Sequence, residues 1–300
     1  MVNLPFGICI DSLIDDLKAF SWEACDILLN YSQILRDPHN KSNIIKNNDD
    51  PVTLADLKVN EIIIRRINEK YKEINWSILS EENVKSDNNN CKVNTDWYWI
   101  LDPLDGTKDF IQGTDDYAMH LALNFQEKPY IGIVLIPGKD ELWIANGEKV
   151  WCEKRNGLKI EPNLSRDKVL NEMILVTSKN HKNEILRNLI KKINVHKVVE
   201  MGSIGCKIGS LLRGESDLYI CLSIPKKSSP KDWDFAAPEA ILRAAGGEIT
   251  NIENIQLSYG KPKFEQKGII IASSNKIIHK EICLQIKEVL EKHNLYPEDI

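Results

Sequence analysis

The sequence predicts a mixed protein of two sheet-containing halves, an α+β half followed by an α/β half. Three observations carry this. Helical periodicity dominates the first 70 residues, short alternating runs separated by turn signals fill 97–145, and beyond 171 strand-like runs alternate with helical ones. At 300 residues the chain has room for two units or one large fused fold. The division is set at 150, giving halves 1–150 and 151–300, with the seam somewhere in 151–171. No internal repeat is present.

In residues 12–36, Leu13, Leu17, Phe20, Ala24, Ile27, Leu28, Tyr31 and Ile34 recur at steps of three and four, and Asp37-Pro38 ends the run. The Asn- and Lys-rich stretch 39–50 reads as a loop. A second helix starts near Thr53 and carries Ala55, Val59, Ile62, Ile63, Ile67 and Tyr71 on one side. Strand-like runs follow at 76–79 and 97–101, with Asn-rich 86–95 a loop between them. An antiparallel meander is expected over 117–125, 130–136 and 141–145, its turns marked by Glu127-Lys128-Pro129 and Pro137-Gly138-Lys139. In the second half, strands are expected at 173–177, 195–199, 217–221 and 268–272. Helices are expected at 181–193, 205–212, 234–245 and 276–292, the third closed by Gly246-Gly247.

Composition narrows the function. Lys and Arg number 39 against 44 Asp and Glu, a net charge of −5, which speaks against a nucleic-acid polymer as partner. The longest apolar runs fall far short of the ~20 residues of a membrane helix, and the acidic N-terminus is unlike a basic signal or transit peptide. Seven scattered cysteines without a C-x-x-C pair read as free thiols, so a cytoplasmic location is expected.

Acidic residues recur where strand-like runs end. Glu81-Glu82 follows one run, Asp102 and Asp105 follow another, and Asp234 opens a helix more than a hundred residues later. Converging carboxylates suit hard cations such as Mg²⁺, and two-metal sites use them for phosphate chemistry. In Asp102-Pro103-Leu104-Asp105-Gly106-Thr107 the proline stiffens the segment, the Leu104 carbonyl can point with the two aspartates, and Gly106 allows close backbone approach to an anion. Each piece also has a plainer reading. Thr53-x-x-Asp56 fits a helix capping box, Glu81-Glu82 fits a solvated pair, and Asp234, or Asp232 beside it, fits a helix cap.

The run Asp102 to Phe110 resembles the signature of the inositol monophosphatase superfamily, and its Thr107-Lys108-Asp109-Phe110 ending is similar to the 3′(2′),5′-bisphosphate nucleotidase branch. Inositol phosphatases more often have Thr-Asn-Phe after the Gly-Thr. Four more stretches agree in order: Asp50 to Asp56, Ser80-Glu81-Glu82, residues 202–219, and Trp233-Asp234-Phe235-Ala236-Ala237-Pro238 through Gly247. The resemblance implies a five-layered αβαβα sandwich of the sugar-phosphatase type with metals between its halves. It implies a first metal on Glu81, Asp102 and the Leu104 carbonyl, and a second on Asp102, Asp105 and Asp234. A third, weaker ion would be held by Glu81 through water, giving two to three Mg²⁺ in all. Thr107 paired with Asp56 would act on the attacking water, and the Gly106 and Thr107 amides would hold the phosphate.

Substrate contacts are implied at Ser178, His181, Ser203 and Lys207, although only two residues of the Ser178–His181 run match the branch. The arginine often found a few residues past the Leu-Tyr strand is missing, with Lys226, Lys227 and Lys231 as stand-ins. Trp97-Tyr98-Trp99 reads as sheet core. The implied activity is Mg²⁺-dependent, lithium-sensitive hydrolysis of the 3′-phosphate of adenosine 3′,5′-bisphosphate, with 3′-phosphoadenylyl sulfate as second substrate and a place in sulfur assimilation. The partner would be a small nucleotide, and the protein a monomer or homodimer. The rivals are an inositol or sugar phosphatase and an inactive phosphate-ligand sensor.

Overall fold

The computed structural model describes residues 4–36, 44–47, 50–86, 93–165, 168–179, 184–223 and 229–296. The amphipathic segment at the start forms α1 (Ile10–Arg36), which buries Leu13, Leu17, Ala24 and Leu28. The expected loop before residue 53 is instead an antiparallel hairpin of β1 (Ile44–Asn47) and β2 (Asp50–Thr53). Then come α2 (Leu54–Lys70), β3 (Ser77–Ser80) and α3 (Glu81–Ser86), so Glu81-Glu82 open a short helix rather than a loop.

The strand expected at 97–101 is longer: β4 (Trp97–Asp105) runs through both aspartates, with a register shift between Asp102 and Asp105. It is followed by α4 (Thr107–Ile111), β5 (Ala118–Phe125), β6 (Lys128–Ile136) and β7 (Glu141–Ala145). The meander does not stop there. β8 (Val150–Glu153) and β9 (Lys159–Ile160) extend it, so the seven-stranded sheet, ordered β3 to β9, crosses residue 150. Only the β3–β4 pair in it is parallel.

The rest comprises β10 (Ile174–Ser178), α5 (Glu184–Lys192), β11 (Lys197–Met201), α6 (Ile204–Leu212), β12 (Leu218–Leu222), α7 (Asp232–Ala245), β13 (Glu248–Asn251), β14 (Ile269–Ser273) and α8 (His279–Lys292). The five strands pair in the order β11-β10-β12-β14-β13. β13 was not anticipated, because its four residues follow directly on the glycine cap of α7. That cap forms as expected: Gly246 takes φ 97° and its N–H returns to the last helical turn.

Strand alternation builds the layers. Trp99 and Leu101 of β4 face a core shared with α1 and α2. Tyr98 and Ile100 face the opposite core, where α6 and α7 meet Val176, Tyr219 and Ile270 of the second sheet. The far side of that second sheet packs α5 and α8 through Leu175, Leu189, Ile271 and Ile286. The order is therefore α1/α2, seven strands, α6/α7, five strands, α5/α8. Gly132 on β6 makes the central seam tight, since a Cβ there would lie 2.8 Å from the Ala237 carbonyl oxygen of α7. Among the described residues no helix is long and apolar enough to cross a membrane.

Candidate active site

The site lies where β4 ends beside the N-termini of α2, α6 and α7. The register shift in β4 aims both Asp102 and Asp105 toward α7, whose first turn carries Asp234. Carboxylate oxygens of the three lie within 4.8 Å of one another. Asp102 is 2% exposed. Burial pushes its carboxyl well above the usual range, and the charges of Glu81, Asp105 and Asp234 push it further. Asp234 is shifted the same way by burial and then by Asp105 and Glu81. Three carboxylates so crowded are a poor arrangement in themselves. An all-oxygen set of this kind fits a hard divalent cation.

Glu81 also reaches Asp102 and pairs with Lys85 at 2.9 Å, along the same face of α3. The Leu104 carbonyl accepts the Thr107 hydroxyl at 3.0 Å. That hydroxyl also stands 3.3 Å from Oδ1 of Asp56. Asp56 is held in turn: its Oδ2 accepts the Thr53 N–H at 2.8 Å and the Thr53 hydroxyl at 2.5 Å. Burial raises the Asp56 carboxyl to about 6, against the two Thr53 hydrogen bonds that pull it down. Gly106 takes φ 90°, and a Cβ there would sit 2.8 Å from the Asp116 carbonyl oxygen, so no other residue fits that turn.

The expected substrate contacts divide. Ser178 ends β10 beside Lys179, whose ammonium pairs with the buried Asp109 at 3.2 Å. His181, Lys226 and Lys227 lie outside the described residues. Lys231 pairs with Glu265 at 3.3 Å. Ser203 caps α6 and gives its proton to Asp105 Oδ2 at 2.6 Å, so its hydroxyl is directed at a carboxylate. Lys207 is only 2% exposed, and its ammonium donates to the Gly202 and Ser203 carbonyls at 2.9 Å each. Instead of facing open solvent it props the turn that carries Ser203, because α6 is buried along its whole length.

One neighbour of the site was not singled out from the sequence. His120 of β5 is 1% exposed, with Nε2 3.3 Å from Asp105 Oδ2 and Nδ1 3.2 Å from the Trp233 carbonyl oxygen. Burial lowers its pKa while Asp105 opposes that shift. A lone histidine in the run Met119-His120-Leu121 gave no signal of its own; only the ladder, which sets it opposite Asp102, reveals its place.

The inositol monophosphatase family model matches residues 11–291. The chain belongs to the inositol monophosphatase family. This family is metal-dependent, in keeping with the acidic cluster. The chain is 31% identical over 216 residues to the 3′(2′),5′-bisphosphate nucleotidase CysQ of Buchnera aphidicola, covering 71% of this chain and 76% of the relative. It is 28% identical to CysQ of Escherichia coli strain K12, over 72% and 82% of the two chains. Among solved structures, CysQ from Bacteroides thetaiotaomicron superposes with a TM-score of 0.64 at 27% identity, over 84% of this chain and 94% of that one. The suhB protein of Bartonella henselae shares the fold at TM-score 0.70 and 22% identity, over 94% and 99%. The five layers are thus those of the family, and the relatives named above place the chain in its CysQ branch.

Proposed function

We propose that this family member is a Mg²⁺-dependent 3′(2′),5′-bisphosphate nucleotidase. It hydrolyses the 3′-phosphate of adenosine 3′,5′-bisphosphate to AMP, and acts likewise on 3′-phosphoadenylyl sulfate, a role in sulfur assimilation. The carrying observation is the convergence of Asp102, Asp105 and Asp234 beside the Thr107–Asp56 pair. The choice of substrate rests on the names of the relatives and on Lys108-Asp109 after the Gly-Thr.

Glu81, Asp102 and the Leu104 carbonyl would hold one ion, Asp102, Asp105 and Asp234 a second, and Glu81 a weaker third through water. When bound, the ions supply charge stabilisation to the transferring phosphoryl group. The chain does the rest. Asp56 is fixed by Thr53 with one oxygen and turns the other to Thr107, so the hydroxyl can orient water and pass a proton toward a carboxylate poised near neutrality. The Gly106 and Thr107 amides at the start of α4 hold phosphate oxygens. Lys179, next to Ser178, brings a cation to the rim.

Phosphate release from adenosine bisphosphate, phosphoadenylyl sulfate, inositol monophosphate and fructose bisphosphate, with and without Mg²⁺, is the test. The adenosine bisphosphate should be turned over fastest and only with the metal. Faster release from inositol monophosphate would move the reading to the other branch, and no release from any would make the protein a sensor. A Li⁺ series against a K⁺ control in the same assay should inhibit without relief by added substrate.

A further inference from the structure

We infer that Ser203 is a positioning residue for the cation site rather than a substrate contact: its hydroxyl fixes the rotation of the Asp105 carboxylate. This rests on reading Asp102, Asp105 and Asp234 as a cation site. Ser203 is 5% exposed, and a hydroxyl has one proton to give. Its oxygen accepts the Cys206 N–H at 3.2 Å as the cap of α6, which leaves that proton for Asp105 Oδ2 at 2.6 Å. The Gly205 N–H reaches the same oxygen at 3.0 Å. Two donors from the start of α6 thus occupy the lone pairs of Oδ2 and leave Oδ1 to ligate. The carboxylate cannot swing without breaking both bonds.

Placing the hydroxyl there strains the backbone. Ser203 takes φ 35° and ψ 136°, a combination that residues with a side chain rarely adopt. Its neighbours hold it in that state. The Gly202 N–H donates to Asp116 Oδ2 at 3.2 Å, and the Lys207 ammonium grips the Gly202 and Ser203 carbonyls at 2.9 Å each. A Cβ at Gly202 would run into the Asp109 carboxylate and lie 2.7 Å from the Asp116 carbonyl oxygen, so the turn is seated where a side chain is excluded. Glycine would suit the conformation at 203 as well, because it pays no steric penalty there. What serine adds at this position is the bond to Asp105. Partners that hold a ligating carboxylate in this way commonly tune metal affinity about 10–100-fold.

Calorimetric titration with Mn²⁺, without substrate, on wild type, Ser203→Gly, Ser203→Ala and Asp105→Asn is the test. Ser203→Gly removes the hydroxyl and relieves the backbone. Its melting temperature should hold, while the Mn²⁺ binding that Asp105→Asn weakens falls about tenfold or more. Ser203→Ala keeps the strain and should lose as much; if it does not fold, Ser203→Gly carries the test alone. Both should need more Mg²⁺ for half-maximal turnover, with KM for nucleotide at saturating Mg²⁺ little changed. Mn²⁺ affinity within twofold of wild type in Ser203→Gly overturns the proposal, and a raised KM beside it would return the hydroxyl to the substrate. A loss confined to Ser203→Ala overturns it too, since the backbone rather than the hydroxyl would then be at work. Unchanged binding in Asp105→Asn would instead overturn the cation-site reading beneath it, whatever the Ser203 variants do.

Discussion

The first turns of α2 and α7 are built alike and end up in different electrostatic circumstances. In each, an aspartate at the third helical position reaches back to the backbone N–H of the residue before the helix: Asp56 to Thr53, Asp234 to Lys231. At α2 the capping residue is a threonine whose hydroxyl also accepts the Ala55 N–H at 3.1 Å. At α7 it is a lysine with no side-chain cap, its ammonium turned to Glu265. The free oxygen of Asp56 meets a hydroxyl, whereas Asp234 meets two more carboxylates. A cap and a functional carboxylate are therefore not alternatives, because one carboxylate has two oxygens to spend. What differs is the company kept by the second one.

The comparison breaks most sharply at α7. Asp234→Asn keeps an oxygen for the cap but removes a charge from the cluster. Phosphate release at saturating Mg²⁺ should fall ~10³-fold while the melting temperature holds. A rate within a few-fold of wild type would show that Asp234 only caps. Asp105→Asn should behave in the same way.

At α2 the effect appears in stability. Asp56 moves from an ordinary 3.8 to about 6 in the folded protein, so folding takes up protons between these values. Its favourable contribution is complete below 3.8 and is lost as pH rises through 6, by up to about 3 kcal/mol. With metal chelated, Asp56→Asn should therefore stabilise the protein at pH 8 and make no difference near pH 3.5. Equal denaturation midpoints for the two proteins at pH 8 would show that burial does not penalise this charge.

The hydroxyl between the two helix starts comes next. Thr107→Ala should lower kcat ~10²-fold with a modest change in KM, since the α4 amides remain. A raised KM with kcat intact would make Thr107 a binding residue and dissolve its partnership with Asp56. The smallest effect distinguishes the caps themselves. Thr53→Ala should cost about 1 kcal/mol by chemical denaturation, and Lys231→Ala only a few tenths, because no cap is lost there. Equal costs would mean that the side-chain cap at α2 is idle.

What the sequence disclosed follows from how locally each feature is encoded. Asp102, Asp105 and Thr107 lie within six residues, so their spacing could be read as a unit, and Thr53 and Asp56 sit one helical turn apart. The five ordered motifs carried the fold as well. Features that depend on pairing were hidden. The β1–β2 hairpin forms in a polar stretch, β4 continues through a proline by shifting register, and β8 and β9 prolong the meander past residue 150, within the stretch expected to hold the seam. A substrate contact was expected at Lys207, but its burial in α6 and its bonds to the Gly202 and Ser203 carbonyls could not be read from the sequence, and Ser203 offered no hint that its hydroxyl turns to Asp105. His120 was the least visible, since what matters is its distance to residues on two other elements.

Because α6 and α7 fill the space between both sheets, the order in which the chain is made acquires a consequence. The seven-stranded sheet can assemble once Ile160 has emerged from the ribosome, but one face of it, with Tyr98, Ile100 and Val134, stays bare until α7 follows. At ~5–20 residues per second that wait is on the order of 10 s, a window in which the nascent chain offers apolar surface to chaperones or to its neighbours. A ribosome-bound chain stalled shortly after Ile160 should therefore bind hydrophobic dye and recruit holdases, and one stalled well beyond Gly247 should shed both.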